Sequence, residues 1–165
     1  MLRKSKLSKT NSISIIETNW SEQSDNILRI REKVFIQEQA VPRHIEVDGK
    51  DSECIHFLIF IESIPIGTAR IKMDGKIERV SILKNYRRKG FGSILFKKFL
   101  QKLCKKGIKS IFLEVSKQNK VAQNFYYKHK FQKVGLRPQY YKNKLSREDG
   151  YILKGLTQEI INTVS

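Results

Sequence analysis

One stretch of the sequence joins an apolar run, a loop with two glycines and a long amphipathic segment, and it restricts the possible folds more than any other feature. The apolar run is residues 80–83, the loop contains Gly90 and Gly92, and the amphipathic segment begins near Phe91. This order predicts a strand, a tight loop and a helix start. Glycine allows positive φ and close approach of a ligand, and the first N–H groups of a helix lack partners within it. The stretch therefore predicts an anion-binding loop that suits a pyrophosphate.

Spacing separates three kinds of glycine-containing nucleotide loop. A P-loop needs a lysine and then a serine or threonine after its last glycine, but Ser93 follows Gly92 directly. A dinucleotide-binding loop needs a third small residue where Leu95 stands. The pattern that remains is Arg-x-x-Gly-x-Gly, formed by Arg87, Gly90 and Gly92. A glycine pair before a helix is also common in ordinary turns, so the loop alone does not decide the function.

Length and cysteine content favour one cytoplasmic domain. The 165 residues lie in the single-domain range. We expect residues 1–12 to form a disordered basic tail, residues 13–157 the domain and residues 158–165 a C-terminal tail. Cys54 and Cys104 are too few for a disulfide scaffold, which predicts reduced thiols. No apolar run approaches the roughly 18 residues of a membrane span.

Hydropathy alternates between strand and helix periods along the chain. It predicts a strand, a helix over residues 20–39, a three-stranded meander over residues 55–83 and a helix that ends at Gly107. A strand, a shorter helix and a closing strand pair follow. This order suits an α+β sandwich with one central mixed sheet.

The net charge of +17 arises in the C-terminal half. Residues 1–78 carry 12 basic and 12 acidic side chains, whereas residues 79–147 carry 20 basic and one acidic. Such a field attracts phosphorylated ligands, but it is also explained by a solvated lysine-rich helix face or by RNA binding. No nucleic-acid-binding motif accompanies the charge, and no metal-ligand spacing is present in the sequence.

Several motifs together resemble the GNAT superfamily of N-acetyltransferases. The glycine loop is similar to the acetyl-CoA loop of that superfamily. Residues 111–115, which include Glu114, are followed by Asn119 and then by residues 125–131, which resemble the FYxxxGF signature. Lys130 stands where the family has a glycine. The resemblance extends over residues 13–155, nearly the whole chain.

The two halves resemble different branches of the superfamily. The N-terminal half is similar to the small ElaA/YjcF-like proteins at His56 and at residues 34–39, 46–49 and 78–80. The C-terminal half resembles the bacterial ribosomal-protein alanine N-alpha-acetyltransferase at residues 135–141 and 148–153. The acceptor amine is therefore left open between a small molecule and a protein N-terminus.

The resemblance implies a three-layer α+β sandwich with a central mixed, mostly antiparallel sheet. It also implies metal-free transfer of acetyl from acetyl-CoA to a primary amine, by direct attack of the amine on the thioester. The residues implied to bind acetyl-CoA are Val80, Ser81, Ile82, Arg87, Arg88, Lys89, Gly90, Phe91, Gly92, Ser93 and Asn119. Backbone N–H groups of residues 80–82 are implied to stabilise the charge that develops on the thioester oxygen.

Two side chains are implied to be catalytic. Tyr126 is either the general acid for the departing thiolate or a core residue. Glu114 either helps to deprotonate the amine, directly or through water, or is a strand-edge carboxylate paired with a lysine. Three carboxylates after the first helix, Glu38, Glu46 and Asp48, are expected to attract a cationic amine if that segment lines the acceptor cleft. A solvated acidic loop is the alternative.

Two other interpretations compete with an enzyme that acetylates a small amine. One is a peptide or ribosomal-protein N-alpha-acetyltransferase, and the other is a non-catalytic module that holds CoA or RNA. The chain is expected to act in the cytoplasm, away from membranes, as a monomer or a homodimer. Nucleic acid is a partner that no motif supports, and the sequence does not name the acceptor.

Overall fold

The computed structural model of the protein describes residues 12–164. Seven strands form two antiparallel sheets. The first sheet has the order β1-β2-β3-β4, and its strands are β1 (Ile13–Thr18), β2 (Ile55–Ile61), β3 (Ile64–Ile71) and β4 (Ile77–Ile82). The second has the order β5-β7-β6, and its strands are β5 (Ser110–Ser116), β6 (Gln132–Lys142) and β7 (Arg147–Leu156). The predicted meander is confirmed as β2, β3 and β4.

A single parallel bridge joins the two sheets within the described chain. It pairs Lys76 with Phe112, and the Phe112 N–H donates to the Gly75 carbonyl oxygen at 3.1 Å. Beyond this bridge β4 and β5 do not pair with each other. The architecture is thus α+β and mostly antiparallel, as expected, but the central sheet opens between β4 and β5.

The tight turn before β4 explains why the two sheets meet there. Asp74 accepts a hydrogen bond from the Lys76 N–H at 3.0 Å, and Gly75 has φ +94°. A Cβ atom on Gly75 would lie 2.5 Å from the Ser110 carbonyl oxygen. Only glycine allows both this φ and this close approach of the two sheets.

Within residues 12–164, five α-helices accompany the sheets. They are α1 (Trp20–Arg31), α2 (Arg43–Glu46), α3 (Phe91–Lys105), α4 (Lys120–Lys128) and α5 (Thr157–Ile161). Asn19 caps α1 by accepting from the Glu22 N–H at 3.1 Å. The chain continues from α1 into a wider π-type helix, Glu32–Glu38, so the predicted helix over residues 20–39 is nearly continuous. Gly107, with φ +74°, ends α3 as predicted.

Helices on both faces of the first sheet create the three layers. Five side chains at helical spacing on α3 are fully buried: Leu95, Phe96, Phe99, Leu100 and Leu103. They belong to one core cluster with Phe57 and Ile59, whereas Leu58 belongs to a second cluster with Ile27 and Ile30 of α1. Alternation along β2 therefore sends neighbouring side chains toward α3 and toward α1.

Residues 158–164 of the expected C-terminal tail pack against the domain instead of extending from it. Ile160 is 0% exposed and Val164 is 3% exposed, and both belong to the core cluster of α3. Burial of these two apolar side chains anchors a helix that is too short to be recognised from periodicity. Apart from Ser12, the expected basic tail of residues 1–12 lies outside the described residues.

Candidate active site

The glycine loop leads from β4 into α3 and presents unpaired backbone N–H groups. Gly90 has φ +85° and caps α3 without a side-chain hydrogen bond. The Ile94 N–H donates to the Gly90 carbonyl oxygen at 3.1 Å. No acceptor in residues 12–164 receives the N–H groups of Phe91, Gly92 and Ser93. These donors lie at the positive end of the α3 dipole, where an anion is stabilised.

Open space lies in front of this loop. A Cβ atom on Gly90 would meet no atom within 4 Å, and one on Gly92 would meet only Ile82 Cγ1, at 3.9 Å. Arg88, with φ +58°, and Lys89 are exposed beside the space and add positive charge. The unpaired donors, the space and the charge fit the pyrophosphate of acetyl-CoA.

Two side chains expected to touch the cofactor are engaged elsewhere. Arg87 donates from Nε to the Ile82 carbonyl oxygen at 2.7 Å and pairs with Glu38 through Nη1 at 2.8 Å. The Asn119 side chain caps α4 by accepting from the Ala122 N–H at 3.1 Å. In this arrangement Arg87 braces the loop against β4, and Asn119 starts α4.

Strand β4 bulges where it runs alongside the opening between the sheets. Its pairing with β3 shifts by one residue, so that Arg79 and Val80 lie opposite Ala69 alone. Arg79 has φ +54°, which is uncommon for a residue other than glycine. Ser81, next along the strand, is 4% exposed. Since β4 has a strand partner on one side only beyond the bridge, its other side is open to a ligand.

Tyr126 is packed among aromatic side chains. Its ring centroid lies 5.3 Å from that of Phe131, 5.4 Å from Phe125 and 6.1 Å from Phe96, and the residue is 8% exposed. Burial raises the pKa of Tyr126 well above its usual value, so the hydroxyl stays protonated at neutral pH. The described residues provide no hydrogen-bond partner for that hydroxyl. The ring is therefore part of the core, and the role of the hydroxyl as a proton donor stays a prediction.

Glu114 is held between two cations at the opening. Its side chain is 10% exposed; Oε2 lies 3.2 Å from Lys76 Nζ, and Oε1 accepts from Arg137 Nη1 at 2.9 Å. The predicted pairing with a lysine is therefore present. Arg137 extends from β6 and also stacks on Tyr140, with 4.1 Å from its Cζ to the ring centroid.

Two of the carboxylates expected to attract a cationic amine are already paired, which corrects that expectation. Glu46 is 2% exposed and contacts both Arg31 and the Nε of Arg79, the latter at 2.9 Å. Burial raises the pKa of Glu46, and the attraction of Arg79 and Arg31 opposes that rise. Asp48 accepts from Nη1 and Nη2 of Arg70, each at 2.8 Å, and these bonds hold the pKa of Asp48 far below its usual range.

These pairs belong to a buried network that spans α1, β3 and the segment after α2. Asp51 accepts from Arg31 at 2.6 Å and from Arg70 at 3.1 Å. The third carboxylate, Glu38, is paired with Arg87. The negative charges of these carboxylates are therefore neutralised by arginines that come from distant parts of the chain.

A groove of about 600 Å³ lies between α2 and β6. It is lined by Ile45, Leu136, Arg137, Pro138, Gln139, Tyr140 and Lys142. Strand β6 is irregular here: its pairing with β7 shifts between Arg137 and Tyr141, and Gln139 has φ +51°. Exposed charges among the lining residues are cationic.

Among residues 12–164, no three histidine, cysteine or acidic side chains converge as a metal site would require. In the same part of the chain no helix has the length and apolarity to cross a membrane.

A protein-family comparison agrees with the site. The model of the Acetyltransferase (GNAT) family matches residues 16–131. The chain belongs to the GNAT family of acetyltransferases. The matched region runs from β1 past the end of α4, so it contains the glycine loop, the β4 bulge and Tyr126. The GNAT membership predicted from the motifs is confirmed.

Individual relatives extend this result. This GNAT protein is 33% identical over 111 residues to the uncharacterized N-acetyltransferase YjcF of Bacillus subtilis (strain 168). The aligned region covers 66% of this chain and 77% of the relative. Its fold matches the ribosomal-protein-S18-alanine N-acetyltransferase from Escherichia coli with a TM-score of 0.72, at 19% identity, over 88% of this chain and 94% of that one. A putative streptothricin acetyltransferase from Bacillus anthracis, solved with acetyl coenzyme A, has a TM-score of 0.57 and 25% identity over 63% of this chain and 62% of that one.

Sequence reasoning missed three residues that shape this site. Arg79 holds the bulge, Arg137 pairs with Glu114, and Gln123 donates from Nε2 to the carbonyl oxygens of Ser116 and Lys117, which ties α4 to the end of β5. Gln123 is 4% exposed. The one signal in the sequence was its position three residues before Tyr126, which places both side chains on the same, inner face of α4. The contacts of Arg79 and Arg137 are tertiary and leave no local pattern.

Proposed function

We propose that this GNAT enzyme transfers acetyl from acetyl-CoA to the primary amine of an acceptor that carries negative charge. The observation that carries the proposal is the contact between the glycine loop and the end of β4, where Arg87 Nε donates to the Ile82 carbonyl oxygen at 2.7 Å. Because of this contact, the anion-binding loop and the unpaired side of β4 form one continuous surface. A long ligand with a pyrophosphate and a polar carbonyl end suits such a surface.

In this proposal the phosphates lie on the N–H groups of Phe91, Gly92 and Ser93, with Arg88 and Lys89 at the rim. Acetyl-CoA, when bound, supplies an activated acyl group and a fair leaving group. Backbone N–H groups of residues 80–82 would donate to the acyl oxygen, where each donor is typically worth ~3 kcal/mol. The expected roles of these residues support each other, since the loop and the strand end are adjacent.

Two proton movements follow from the side chains. A tyrosine with its usual pKa near 10 is protonated at neutral pH, so the Tyr126 hydroxyl has a proton to give to the departing sulfur, although burial raises its pKa and makes it a weaker acid than a free phenol. The acceptor amine must lose a proton, which is easier for an α-amine with a pKa near 8 than for a lysine near 10.4. Both oxygens of Glu114 are occupied by cations, which favours water as the immediate base and Glu114 as the charge that polarises it.

The groove between α2 and β6 is proposed as the acceptor site. Its exposed charged residues are cationic, namely Lys142 and Arg137, the latter also paired with Glu114, and the nearby carboxylates Glu46 and Asp48 are neutralised by arginines. A peptide with a free α-amine and acidic residues therefore suits the groove better than a polyamine. The name of the E. coli structural relative, an enzyme that acetylates ribosomal-protein alanine, makes a protein N-terminus a reasonable acceptor.

An acceptor panel tests this proposal. Turnover is measured with an acidic peptide, a basic peptide and a polyamine, each at low and at high salt. We expect the lowest KM for the acidic peptide, and we expect its advantage to shrink as salt screens the groove, because exposed charges are screened within about 8 Å at physiological ionic strength. Arg137→Gln and Lys142→Gln should each raise the KM for the acidic peptide. A lower KM for the polyamine would contradict the acceptor class.

Isothermal titration calorimetry distinguishes an acetyl-CoA-dependent enzyme from an RNA-binding module. Acetyl-CoA and a generic RNA are titrated into the protein in parallel. The proposal expects saturable binding of acetyl-CoA. Binding of RNA without binding of acetyl-CoA would instead support an RNA-binding module and contradict the enzyme.

A further inference from the structure

Arg79 combines an unusual backbone conformation with ion pairs and hydrogen bonds to a single segment of the chain. Its φ of +54° lies in the left-handed region, where a residue other than glycine persists only if its surroundings hold it there. It forms the bulge of β4 together with Val80. The strained residue thus directly precedes the backbone proposed to contact the acyl group.

The guanidinium of Arg79 reaches the segment that begins with α2. Its Nε lies 2.9 Å from Glu46 Oε2, and its Nη2 lies 3.4 Å from Asp48 Oδ2. Nη2 also donates to the carbonyl oxygens of Ile45 and Glu46, at 3.2 and 3.3 Å. One planar side chain therefore holds two carboxylates and two carbonyl groups of a single segment.

The carboxylates that Arg79 contacts are themselves immobilised from behind. Glu46 also pairs with Arg31 of α1, and Asp48 pairs with Arg70 of β3 at 2.8 Å. Arg79 is therefore tied to a fixed frame, not to a mobile surface loop.

This frame connects the two halves of the proposed site. Ile45, whose carbonyl oxygen accepts from Arg79, lines the groove between α2 and β6. Val80, the neighbour of Arg79, belongs to the strand that faces the opening between the sheets. The hydrogen bond from Arg79 to the Ile45 carbonyl oxygen therefore connects the α2 side of the groove directly to the bulge of β4.

We propose that Arg79 is a positioning residue that fixes the β4 bulge and the α2 wall of the groove relative to each other. It acts through Val80 on one side and through Ile45 on the other, and it does not itself touch the reacting atoms. The kinetic part of this inference rests on the proposed acetyl transfer; the structural part does not.

Hydrogen–deuterium exchange tests the structural part without any ligand. Arg79→Lys keeps the positive charge but removes the planar fork, and Arg79→Gln removes the charge as well. In both variants we expect faster exchange in peptides covering residues 43–48 and 77–83 together, with unchanged exchange in α3. Arg43→Gln is the matched control, since Arg43 lies on the same segment, is exposed and, among residues 12–164, forms an ion pair with Glu32 alone. If exchange rises in only one of the two segments, or in neither, the link is wrong.

Kinetics tests the positioning part with the same three variants. We expect Arg79→Lys to lower kcat by about tenfold or more and to raise the acceptor KM, because misplacement by about 1 Å costs up to 100-fold. The affinity for CoA without its acetyl group should stay within about threefold, because the pyrophosphate loop belongs to α3. A role limited to folding would weaken CoA binding as well, and an unchanged kcat and KM in Arg79→Lys would overturn the proposal. A wild-type protein that transfers no acetyl, but whose exchange changes as expected, would contradict the proposed function and leave the structural link standing.

Discussion

Tyr126 is a packed core residue for which a catalytic role is also proposed. Its ring fills space between Phe96 and Phe131, and the same burial raises the pKa of its hydroxyl. A phenol that stays protonated at neutral pH is available as a proton donor. This role depends on the hydroxyl alone, so it is separable from the packing of the ring.

Replacing Tyr126 by phenylalanine removes that hydroxyl and keeps the ring. We expect kcat to fall by roughly 10- to 1000-fold, at or below the usual range for a general acid, while acetyl-CoA affinity stays within a few-fold. Steady-state kinetics and calorimetry on the same preparation measure both quantities. Undiminished turnover with a good acceptor would mean that Tyr126 is a core residue only.

Two buried histidines make stability depend on pH. His129 is 5% exposed, with Nδ1 3.0 Å from Thr163 Oγ1, and His56 is 0% exposed, with Nε2 2.9 Å from the Asp51 carbonyl oxygen. Burial lowers the pKa of both histidines below 6.5. The unfolded chain therefore binds more protons than the folded chain as the pH falls through 6.5 toward the folded-state pKa, and stability decreases over that interval.

His129→Asn tests this dependence, because asparagine retains a polar partner for Thr163 but does not titrate. We expect the urea midpoint of the wild type to drop between pH 7 and pH 5 by more than that of the variant. Glu46, whose pKa is raised by burial, contributes with the opposite sign, but it is present in both proteins and cancels in the comparison. Equal drops in the two proteins would exclude His129 as a contributor.

The partners of the charged side chains could not be predicted from the sequence. Tyr126 and the glycines follow local motifs and were predicted. Glu46 and Asp48 also stand close together in the sequence, but their partners Arg31, Arg70 and Arg79 come from α1, β3 and β4. An acidic cluster in sequence is thus a neutral network in space, because ion pairing is decided by tertiary contacts.

At the scale of elements, α3 and its loop could be predicted from the sequence because each of their features depends on local residues. Gly90 supplies positive φ, Gly107 ends the helix, and five apolar positions at helical spacing face the core. The β4 bulge was not predictable, since it depends on the register with β3 and on the anchoring of Arg79. Strands β6 and β7 are longer than the apolar pattern of the sequence indicates. Most residues of β6 are exposed, so much of its length has no apolar signal.

Gly92→Asp tests the start of α3 as a phosphate site. The added Cβ has space, and an acidic residue in the first turn of a helix is favourable, so the fold should persist. A carboxylate beside the unpaired N–H groups should repel a pyrophosphate and weaken acetyl-CoA binding at least about tenfold, which is about 1.4 kcal/mol. Thermal unfolding and calorimetry report the two effects.

Ser21→Asp provides the matched control for this substitution, because Ser21 holds the same position in the first turn of α1. It should bind acetyl-CoA as the wild type does. If folded Gly92→Asp also retains wild-type affinity, the loop does not hold the phosphates.

At the scale of the molecule, the three-layer sandwich was implied by the family resemblance, whereas the anchoring of residues 158–164 was not expected. Beyond the bridge β4 separates from β5, and Glu114 of β5 lies 3.2 Å from Lys76 Nζ just before β4. Residues 79–147, which include the glycine loop, carry 20 basic side chains and one acidic side chain, and this charge favours anionic ligands.

The most direct test of the account is the release of free CoA thiol from acetyl-CoA, measured together with mass spectrometry of an acidic peptide that has a free α-amine. The account predicts thiol release that requires both the protein and the amine, with one acetyl group on the peptide nitrogen for each thiol released. Binding of acetyl-CoA without transfer to any amine of the panel would contradict it and identify the protein as a CoA-binding module.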